Sequence, residues 1–579
     1  MDFGNYRQTA LIRNRIIFVE SGLIVFILIA LTLKFCLLFL LNINWDEFLT
    51  LAAIYEHNLG TLKNQFQTFQ VHFFKWLPLL TGDEISQIIA ARIVLFLIGL
   101  GSCLVTYLIS RHFLNRTAAL SVILCYIAFS FIIEHGTSFR WDPICGFLFL
   151  ISIFLLIKMP HSMMMTVISG LVMALSLMFS IKTVFYLLTI AAIFLFRLLL
   201  NENKKNTAKP IMVFLMGISI FYYMFYSFHI WTLPESELRQ LKDFLSSAYS
   251  KVIIFNDFFP RWIYFKQIFF ENLLLWTLFI VGITYSILEL IKSKKIYSIK
   301  TVFMFTFLIP LFSLLFYRNA FPYFYVFIIS PAIVFSGVFI HRIVEDFKKT
   351  GSVGSFLILT IISIAIFFNF LIHYNKNSTD QIIAQKEIIQ LVHKIFPGPV
   401  PYIDRCSMVS SFPKVGVFMS TWGMENYLEA NTPIMNKLII SHQPVFLLAN
   451  SPSLDLSLPR EMAVYAGRYS LLEEDWNTLK SNFIHHWGIL YVAGKQFNFD
   501  SEKKSHRFEI KIPGIYTYEG ETGVYINGAL HEDGDVIQFE KGYYTISSLG
   551  VPVKSTLRWG NHIYKPSKNP STVPIFYGF

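Results

Sequence analysis

Apolar residues are gathered into long runs over the first two thirds of the chain, and polar residues fall between these runs. A helix needs about 20 apolar residues to cross a bilayer, with a usual range of about 17–25. The sequence therefore predicts a polytopic α-helical membrane protein with about eleven transmembrane helices. The predicted spans are 17–41, 86–110, 117–133, 143–158, 163–181, 183–200, 210–232, 269–291, 300–317, 322–341 and 352–374.

The pattern changes after residue 374, where apolar runs of spanning length stop. Residues 375–500 mix a helical period, as in 380–396, with short apolar stretches, which indicates a mixed α/β region. Residues 501–579 alternate apolar and polar positions between glycine-containing turns, a pattern typical of a small β-sandwich. We predict a membrane domain over 1–374 followed by these two regions.

Composition and charge support this division and add an orientation. Hydrophobic residues make up 54% of the chain and charged residues only 15%, against about 25% charged in soluble domains. The net charge of +11 comes largely from Lys and Arg in alternate loops, which argues for cytoplasmic loops and against nucleic-acid binding. Arg7, Arg13 and Arg15 precede the first span, so we predict a multi-pass protein of the inner (cell) membrane with a cytoplasmic N-terminus and an exported C-terminal domain.

The long loop 48–80 and the loop 233–267 are aromatic and amphipathic, which predicts helices lying in the membrane interface. Both loops fall on the exported side of the predicted topology.

An acidic pair, Asp46-Glu47, comes directly after the first apolar run. A carboxylate at a membrane surface can take a proton from an acceptor hydroxyl or hold a cation. The alternative is structural, because Asp is a favoured N-cap and the pair would open a helix beginning near Phe48.

A second acidic element is Arg140-Trp141-Asp142-Pro143, at the start of the fourth span. Asp-Pro is also an ordinary way to begin a helix, and Arg140 could simply extend to the membrane interface. The predicted topology puts both acidic elements on the exported side, and two carboxylates on one face favour a functional site.

Three cations share that face: Lys75, Lys182 and Arg318. No acidic residue neighbours Lys182 or Arg318 in its own segment, so an anion such as a lipid phosphate would satisfy them. The alternative is an ion pair with an acidic residue of another helix. Nothing in the sequence indicates a binding loop for a soluble nucleotide.

These elements, in this order, resemble the polyprenyl-phosphate-sugar-dependent membrane glycosyltransferases of the GT-C class, which include aminoarabinose transferases and protein O-mannosyltransferases. The resemblance covers residues 1–200 and, more loosely, 300–340. Its matching residues are Asp46-Glu47, Lys75 before Pro78, the segment from Gly82 to Arg92, Arg140 with Asp142, Lys182, and Arg318 with Tyr323.

The resemblance implies an exported active site in which a polyprenyl-phosphate sugar, usually carried on undecaprenyl phosphate in bacteria, gives its glycosyl group to an acceptor. The implied catalytic carboxylates are Asp46, Glu47 and Asp142. The implied donor-phosphate ligands are Lys75, Arg140, Lys182, Arg318 and Tyr323.

One position departs from this pattern. Aminoarabinose transferases carry a metal-holding carboxylate directly before the loop lysine, and here that residue is Phe74. We therefore expect no metal and no other cofactor, with a divalent metal ion as the alternative.

The predicted function is transfer of a hexosyl or pentosyl group from a polyprenyl-phosphate donor to an exported acceptor, such as lipopolysaccharide or O-antigen, another cell-envelope glycan, or a protein. The expected partners are that donor, membrane lipid and the acceptor, without nucleic acid. The main alternative is a transporter or flippase of lipid-linked sugars, for which inverted repeats and broken helices in matching halves would be expected. A membrane anchor without activity is a third reading, and it would leave Asp46, Asp142, Lys182 and Arg318 unexplained.

Overall fold

The computed structural model describes residues 3–62, 64–158, 162–200, 204–234, 258–292, 299–417, 419–462, 469–500, 504–549 and 553–576. Its first part is helical. The α-helices there are Phe3–Leu37, Trp45–Asn58, Val71–Phe74, Glu84–Phe113, Arg116–Ala128, Ser130–His135, Trp141–Lys158, Met163–Phe179, Val184–Leu200, Lys204–Trp231, Trp262–Glu271, Leu273–Lys292, Ile299–Thr306, Phe324–Ala332, Ser336–Thr350 and Val353–Asn377. Short 3-10 helices occur at Leu77–Leu79, Ile181–Thr183, Ile309–Leu315 and Ile333–Phe335.

Each of the eleven predicted spans coincides with helical structure. Among the described residues, eight helical segments are long and apolar enough to cross a membrane, and three apolar helical segments are shorter. One of the shorter segments, Lys300–Leu315, changes from α-helix to 3-10 helix at Pro310, where the ring removes a backbone donor. The hydrophobic pattern thus located the helices but did not show where they are interrupted.

Part of the predicted loop 48–80 packs against the helical bundle. It contains the Val71–Phe74 helix, and Phe66, Phe69 and Phe74 are buried. The Phe69 ring contacts the Phe179 and Phe225 rings of the bundle. Some of its aromatic side chains thus cover other helices, whereas Phe73, Trp76 and Leu79 are exposed, and the location of these short helices in the membrane interface stays a prediction. Most of the loop 233–267 lies outside the described residues.

The C-terminal domain combines helices with two sheets. Its α-helices are Ile383–Ile395, Thr421–Ala430, Met435–His442 and Glu473–Asn482, with a 3-10 turn at Pro452–Leu454. Its strands are β1 Tyr402–Ile403, β2 Lys414–Val415, β3 Phe446–Leu448, β4 Phe483–Trp487, β5 Leu490–Phe499, β6 Ser505–Ile510, β7 Gly514–Gly520, β8 Val524–Ile526, β9 Ala529–His531, β10 Val536–Phe539, β11 Gly542–Ser548 and β12 Val553–Trp559.

One sheet runs across the boundary predicted at residue 500. Its order is β10-β7-β12-β5-β3-β1-β2, with β4 also paired to β5. The second sheet, β6-β11-β8-β9, faces part of the first across a core that includes Phe497, Phe508 and Tyr518. The predicted sandwich is present, but the division at residue 500 does not separate two sheets, because β5 pairs with β12.

The C-terminal domain is docked on one end of the helical part. Asn42, just after the first span, donates to the carbonyls of Gln381 and Ile575 at 3.1 and 3.0 Å. Glu84, buried at the start of the next span, accepts from the backbone N–H of Ser411 and contacts His393 Nε2 at 2.9 Å. The hydrogen bond to Glu84 raises the pKa of His393. These contacts identify the end of the bundle that the C-terminal domain covers.

Candidate active site

The helix Trp45–Asn58 begins at a capping box that fixes the acidic pair. The Asn44 side chain accepts from Asp46 N at 3.0 Å, and Asn44 N donates to Glu47 Oε1 at 3.0 Å. Asn44 is therefore the N-cap. The alternative in which Asp46 is itself the N-cap is therefore excluded. The Asp46 carboxylate instead points away from the helix end.

Glu47 is fully buried and held on several sides. Arg92 donates to it through Nε and Nη2 at 2.8 and 2.6 Å, and Phe139 N donates at 2.7 Å. Burial opposes ionisation, but Arg92 and these hydrogen bonds outweigh it and lower the pKa of Glu47. A reacting carboxylate needs an open oxygen, so the predicted catalytic role does not fit Glu47. Glu47 thus connects its own helix, Trp45–Asn58, to the helix Glu84–Phe113 through Arg92 and to the segment before Arg140 through Phe139.

Four charged side chains form a chain of contacts, the four-residue ion chain of Asp46, Arg140, Asp142 and Lys182. Arg140 Nη1 donates to Asp46, and Arg140 Nε lies 3.4 Å from Asp142 Oδ2. Lys182 Nζ donates to Asp142 Oδ1 at 2.7 Å. The structure thus brings together residues that the sequence separates by more than 130 positions, and their formal charges cancel.

Exposure distinguishes the members of the ion chain. The Asp46 side chain is 19% exposed, whereas Arg140, Asp142 and Lys182 are 4%, 1% and 8% exposed. The Tyr323 ring lies under two of the cations, 3.5 Å from Arg140 Cζ and 4.8 Å from Lys182 Nζ. Asp46 is therefore the carboxylate of this group with the most access to a bound acceptor.

Burial lowers the pKa of Arg140, but the neighbouring Asp46, Tyr323 and Asp142 together raise it above its ordinary value.

Arg318 lies in an ion pair with Glu425 of the C-terminal domain. Tyr469 also donates to Glu425, at 2.6 Å. For Lys182 and Arg318 the structure therefore shows the alternative of pairing with acidic residues from distant segments. A role in binding phosphate stays a prediction for both.

Lys75 is exposed at the end of the Val71–Phe74 helix. No contact between described residues joins it to the ion chain. It lies near His72, whose pKa is lowered to about 4, chiefly by burial. His72 also lines an apolar cavity of about 380 Å³. The other lining residues are Phe69, Phe73, Met224, Phe225 and Phe228.

Three arginines near the site were not among the predicted functional residues. Arg92 holds Glu47, and Arg261 donates through Nε to the Arg318 carbonyl at 3.0 Å. Arg405, from the C-terminal domain, lies with its guanidinium 3.7 Å from the centre of the Trp45 ring. Burial lowers the pKa of Arg405 to about 10.

Within the described part of the chain, no group of three or more His, Cys, Asp or Glu side chains is placed to hold a metal ion. Asp46 faces Arg140, and Asp142 faces both Arg140 and Lys182.

The chain resembles solved structures of known proteins, and the resemblance lies in the fold. No family model and no curated protein sequence matches the chain. Solved structures do match. An oligosaccharyltransferase of Archaeoglobus fulgidus in the apo form superposes with a TM-score of 0.57 at 10% identity, covering 95% of this chain and 98% of the other. The oligosaccharyltransferase AglB from Archaeoglobus fulgidus, in complex with an inhibitory peptide and a dolichol-phosphate, superposes with a TM-score of 0.55 at 11% identity, covering 95% of this chain and 98% of the other.

A third structure is ArnT from Cupriavidus metallidurans bound to undecaprenyl phosphate. It superposes with a TM-score of 0.51 at 13% identity, covering 73% of this chain and 92% of the other. The chain therefore shares the fold of these solved structures, and it has the predicted multi-pass helical part and C-terminal sheet domain.

Proposed function

We propose that this protein is a membrane glycosyltransferase that moves a sugar from a polyprenyl-phosphate carrier to an acceptor on the exported side of the membrane. One observation carries the proposal: a partly exposed carboxylate, Asp46, stands at the head of a buried ion chain at the end of the bundle covered by the C-terminal domain. The fold is one that oligosaccharyltransferase and ArnT share.

Asp46 is the group that we assign to the acceptor. An acceptor hydroxyl would attack the anomeric carbon of the donor while its proton passes to an Asp46 oxygen. The bond from that carbon to the carrier phosphate breaks, and its electron pair leaves with the phosphate. Asp142, 1% exposed, instead positions Arg140 and Lys182.

Arg140 links the two halves of this scheme. It donates to Asp46. An arriving phosphate would compete for the same guanidinium, which binds phosphate through two parallel hydrogen bonds. Drawing Arg140 toward the donor would release the Asp46 carboxylate to act as a base, so donor binding would prepare the acceptor side.

The growing charge on the departing phosphate needs fixed cations in a setting of low dielectric. Arg318 and Lys75 are more accessible than Arg140 or Lys182 and suit this role, Arg318 with 28% of its side chain exposed. The apolar cavity beside Lys75 has the size and lining for part of an isoprenoid chain.

The transporter alternative fits this arrangement less well. Transporters of inverted-repeat type place their substrate site near the middle of the membrane. Here the ion chain lies at one end of the bundle, near a docked domain. Transfer assays with hexosyl and pentosyl donors, and with glycan, glycolipid and protein acceptors, will identify the substrates.

Sidedness is tested by labelling single cysteines in a cysteine-free background. Leu79→Cys and Tyr543→Cys, at positions 82% and 62% exposed, should react with an impermeant maleimide in intact cells. Lys349→Cys, predicted to lie on the cytoplasmic side, is the matched control and should react only after permeabilisation. Labelling of Tyr543→Cys only in permeabilised cells would contradict both the topology and the exported site.

Donor use is tested with purified protein, comparing a polyprenyl-phosphate sugar with the corresponding nucleotide sugar. We expect transfer from the lipid-linked donor alone. Arg318→Ala should weaken donor use more than Arg318→Lys, since lysine keeps a point charge but not the two parallel hydrogen bonds. Arg507→Ala, in the distal strand β6, is the control. Efficient transfer from the nucleotide sugar without lipid would overturn the proposed donor.

A further inference from the structure

Arg261 stands directly beside Arg318. Its Nε donates to the Arg318 carbonyl at 3.0 Å, and its guanidinium lies 4.5 Å from the centre of the Phe321 ring. Both contacts are made to residues 318–321, just before the helix Phe324–Ala332. Arg261 and Arg318 are therefore held together although they lie 57 positions apart. The sequence motifs did not include Arg261.

The charges around these two arginines do not balance. Arg318 pairs with Glu425, and Tyr469 shares that carboxylate. Arg261 is half-buried and, among the described residues, has no carboxylate within ion-pair distance. The four-residue ion chain next to Tyr323 is neutral by itself. The described side chains around Arg318 therefore carry one uncompensated positive charge, and a half-buried charge of this kind is stabilised by a bound anion.

We propose that Arg261 and Arg318 together bind the phosphate of the lipid-linked donor, and that Glu425 holds Arg318 in place until this phosphate arrives. This inference rests on the proposed function. It adds Arg261 as a ligand of the donor phosphate and Glu425 as a carboxylate that competes with the phosphate for Arg318. Each guanidinium group carries parallel N–H donors, which match the oxygens of a phosphate ester, and Arg261 is held against the backbone of Arg318.

The competition with Glu425 has a consequence for the C-terminal domain. Glu425 belongs to the helix Thr421–Ala430, so phosphate binding at Arg318 loosens one contact between that domain and the membrane part. Removing the carboxylate charge should leave Arg318 more available to phosphate. Glu425→Gln and Arg261→Met should thus change phosphate affinity in opposite directions.

The test is direct binding of undecaprenyl phosphate to the full-length protein in nanodiscs, without turnover. We expect Arg261→Met to weaken binding by about tenfold or more, Arg261→Lys to weaken it less, and Glu425→Gln to strengthen it severalfold. Arg342→Met, an arginine with its own partner Glu289, is the matched control and should bind as the parent does.

Three outcomes decide the proposal. Equal binding by the parent, Arg261→Met and Glu425→Gln overturns it. If Arg261→Met fails to fold, as judged by its melting temperature, weaker or unchanged binding by Glu425→Gln overturns it. Binding of inorganic phosphate, with no binding of the lipid, identifies a site for the free ion and also overturns it. Asp46→Asn should bind the lipid at least as tightly as the parent, because it removes the charge that competes for Arg140, so a failure of the transfer chemistry can be told apart from a failure of this site.

Discussion

Asp46→Asn is expected to lower the rate of glycosyl transfer by about 10²–10⁴, the usual effect of losing a general base. Asparagine keeps the size of the side chain and can still accept from Arg140, but it cannot take the acceptor proton. The effect should fall on kcat, because Asp46 does not hold the donor phosphate in the proposed scheme. The measurement is steady-state transfer from a purified polyprenyl-phosphate sugar.

Asp83→Asn is the matched control for this change. Asp83 caps the helix Glu84–Phe113 through a hydrogen bond to Ser86 N at 2.9 Å, and asparagine caps a helix about equally well. We expect activity within about twofold of the parent for this variant. Activity of Asp46→Asn within a few fold of the parent would reduce Asp46 to a partner of Arg140.

Glu47→Gln is expected to destabilise the fold by about 3–5 kcal/mol, because it leaves the buried Arg92 guanidinium without its counter-charge. The amide keeps only one acceptor oxygen, so it cannot replace both Oε2, which accepts from Arg92 Nε and Phe139 N, and Oε1, which accepts from Arg92 Nη2 and Asn44 N. The loss should appear as a lower melting temperature in detergent. Protein that remains folded should keep much of its activity if Glu47 only positions its neighbours.

Two further variants make this prediction sharper. Glu56→Gln, exposed on the same helix, should leave the melting temperature almost unchanged. The double variant Glu47→Met with Arg92→Met removes both charges at once and should be more stable than either single variant. Complete inactivity of well-folded Glu47→Gln would restore a direct catalytic role to Glu47.

The helices could be predicted because their signal is local: a run of apolar residues reports burial or membrane without reference to the rest of the chain. The interruption of Lys300–Leu315 and the packing of Phe66 and Phe69 against other helices depend on contacts that no local pattern contains. The sheet that joins β5 to β12 was missed for the same reason.

The site shows the same division. Asp46, Arg140, Asp142 and Lys182 were predicted as separate candidates, and the structure joins them into one chain. Arg318 had no acidic neighbour in its own segment, yet its partner Glu425 lies 107 residues further along. Such partners follow from tertiary structure only.

The sequence also contained a capping-box pattern that the prediction of the site did not use. The spacing Asn44-x-x-Glu47 is that of a capping box, and it identifies Asn44 as the cap and gives Glu47 a structural partner. Considering Asp46 and Glu47 as a pair assigned both of them the same role. The structure gives them different surroundings, since Glu47 is buried against Arg92 and Asp46 is partly exposed beside Arg140.

The helix that carries Asp46 is supported by parts of the chain that are made long after it. The Trp45 ring contacts the Arg405 guanidinium, and its centre lies 5.8 Å from the centre of the Phe576 ring. Ile43 N donates to Gln385 Oε1, and Gln385 Nε2 in turn donates to the carbonyls of Ile43 and Ile575. During synthesis, the carboxylate that emerges among the first residues must therefore wait for residues 575 and 576 before its surroundings are complete. A ribosome-bound or prematurely terminated chain would display the acid without its support, and glycosyl transfer would begin only once translation of this region has finished.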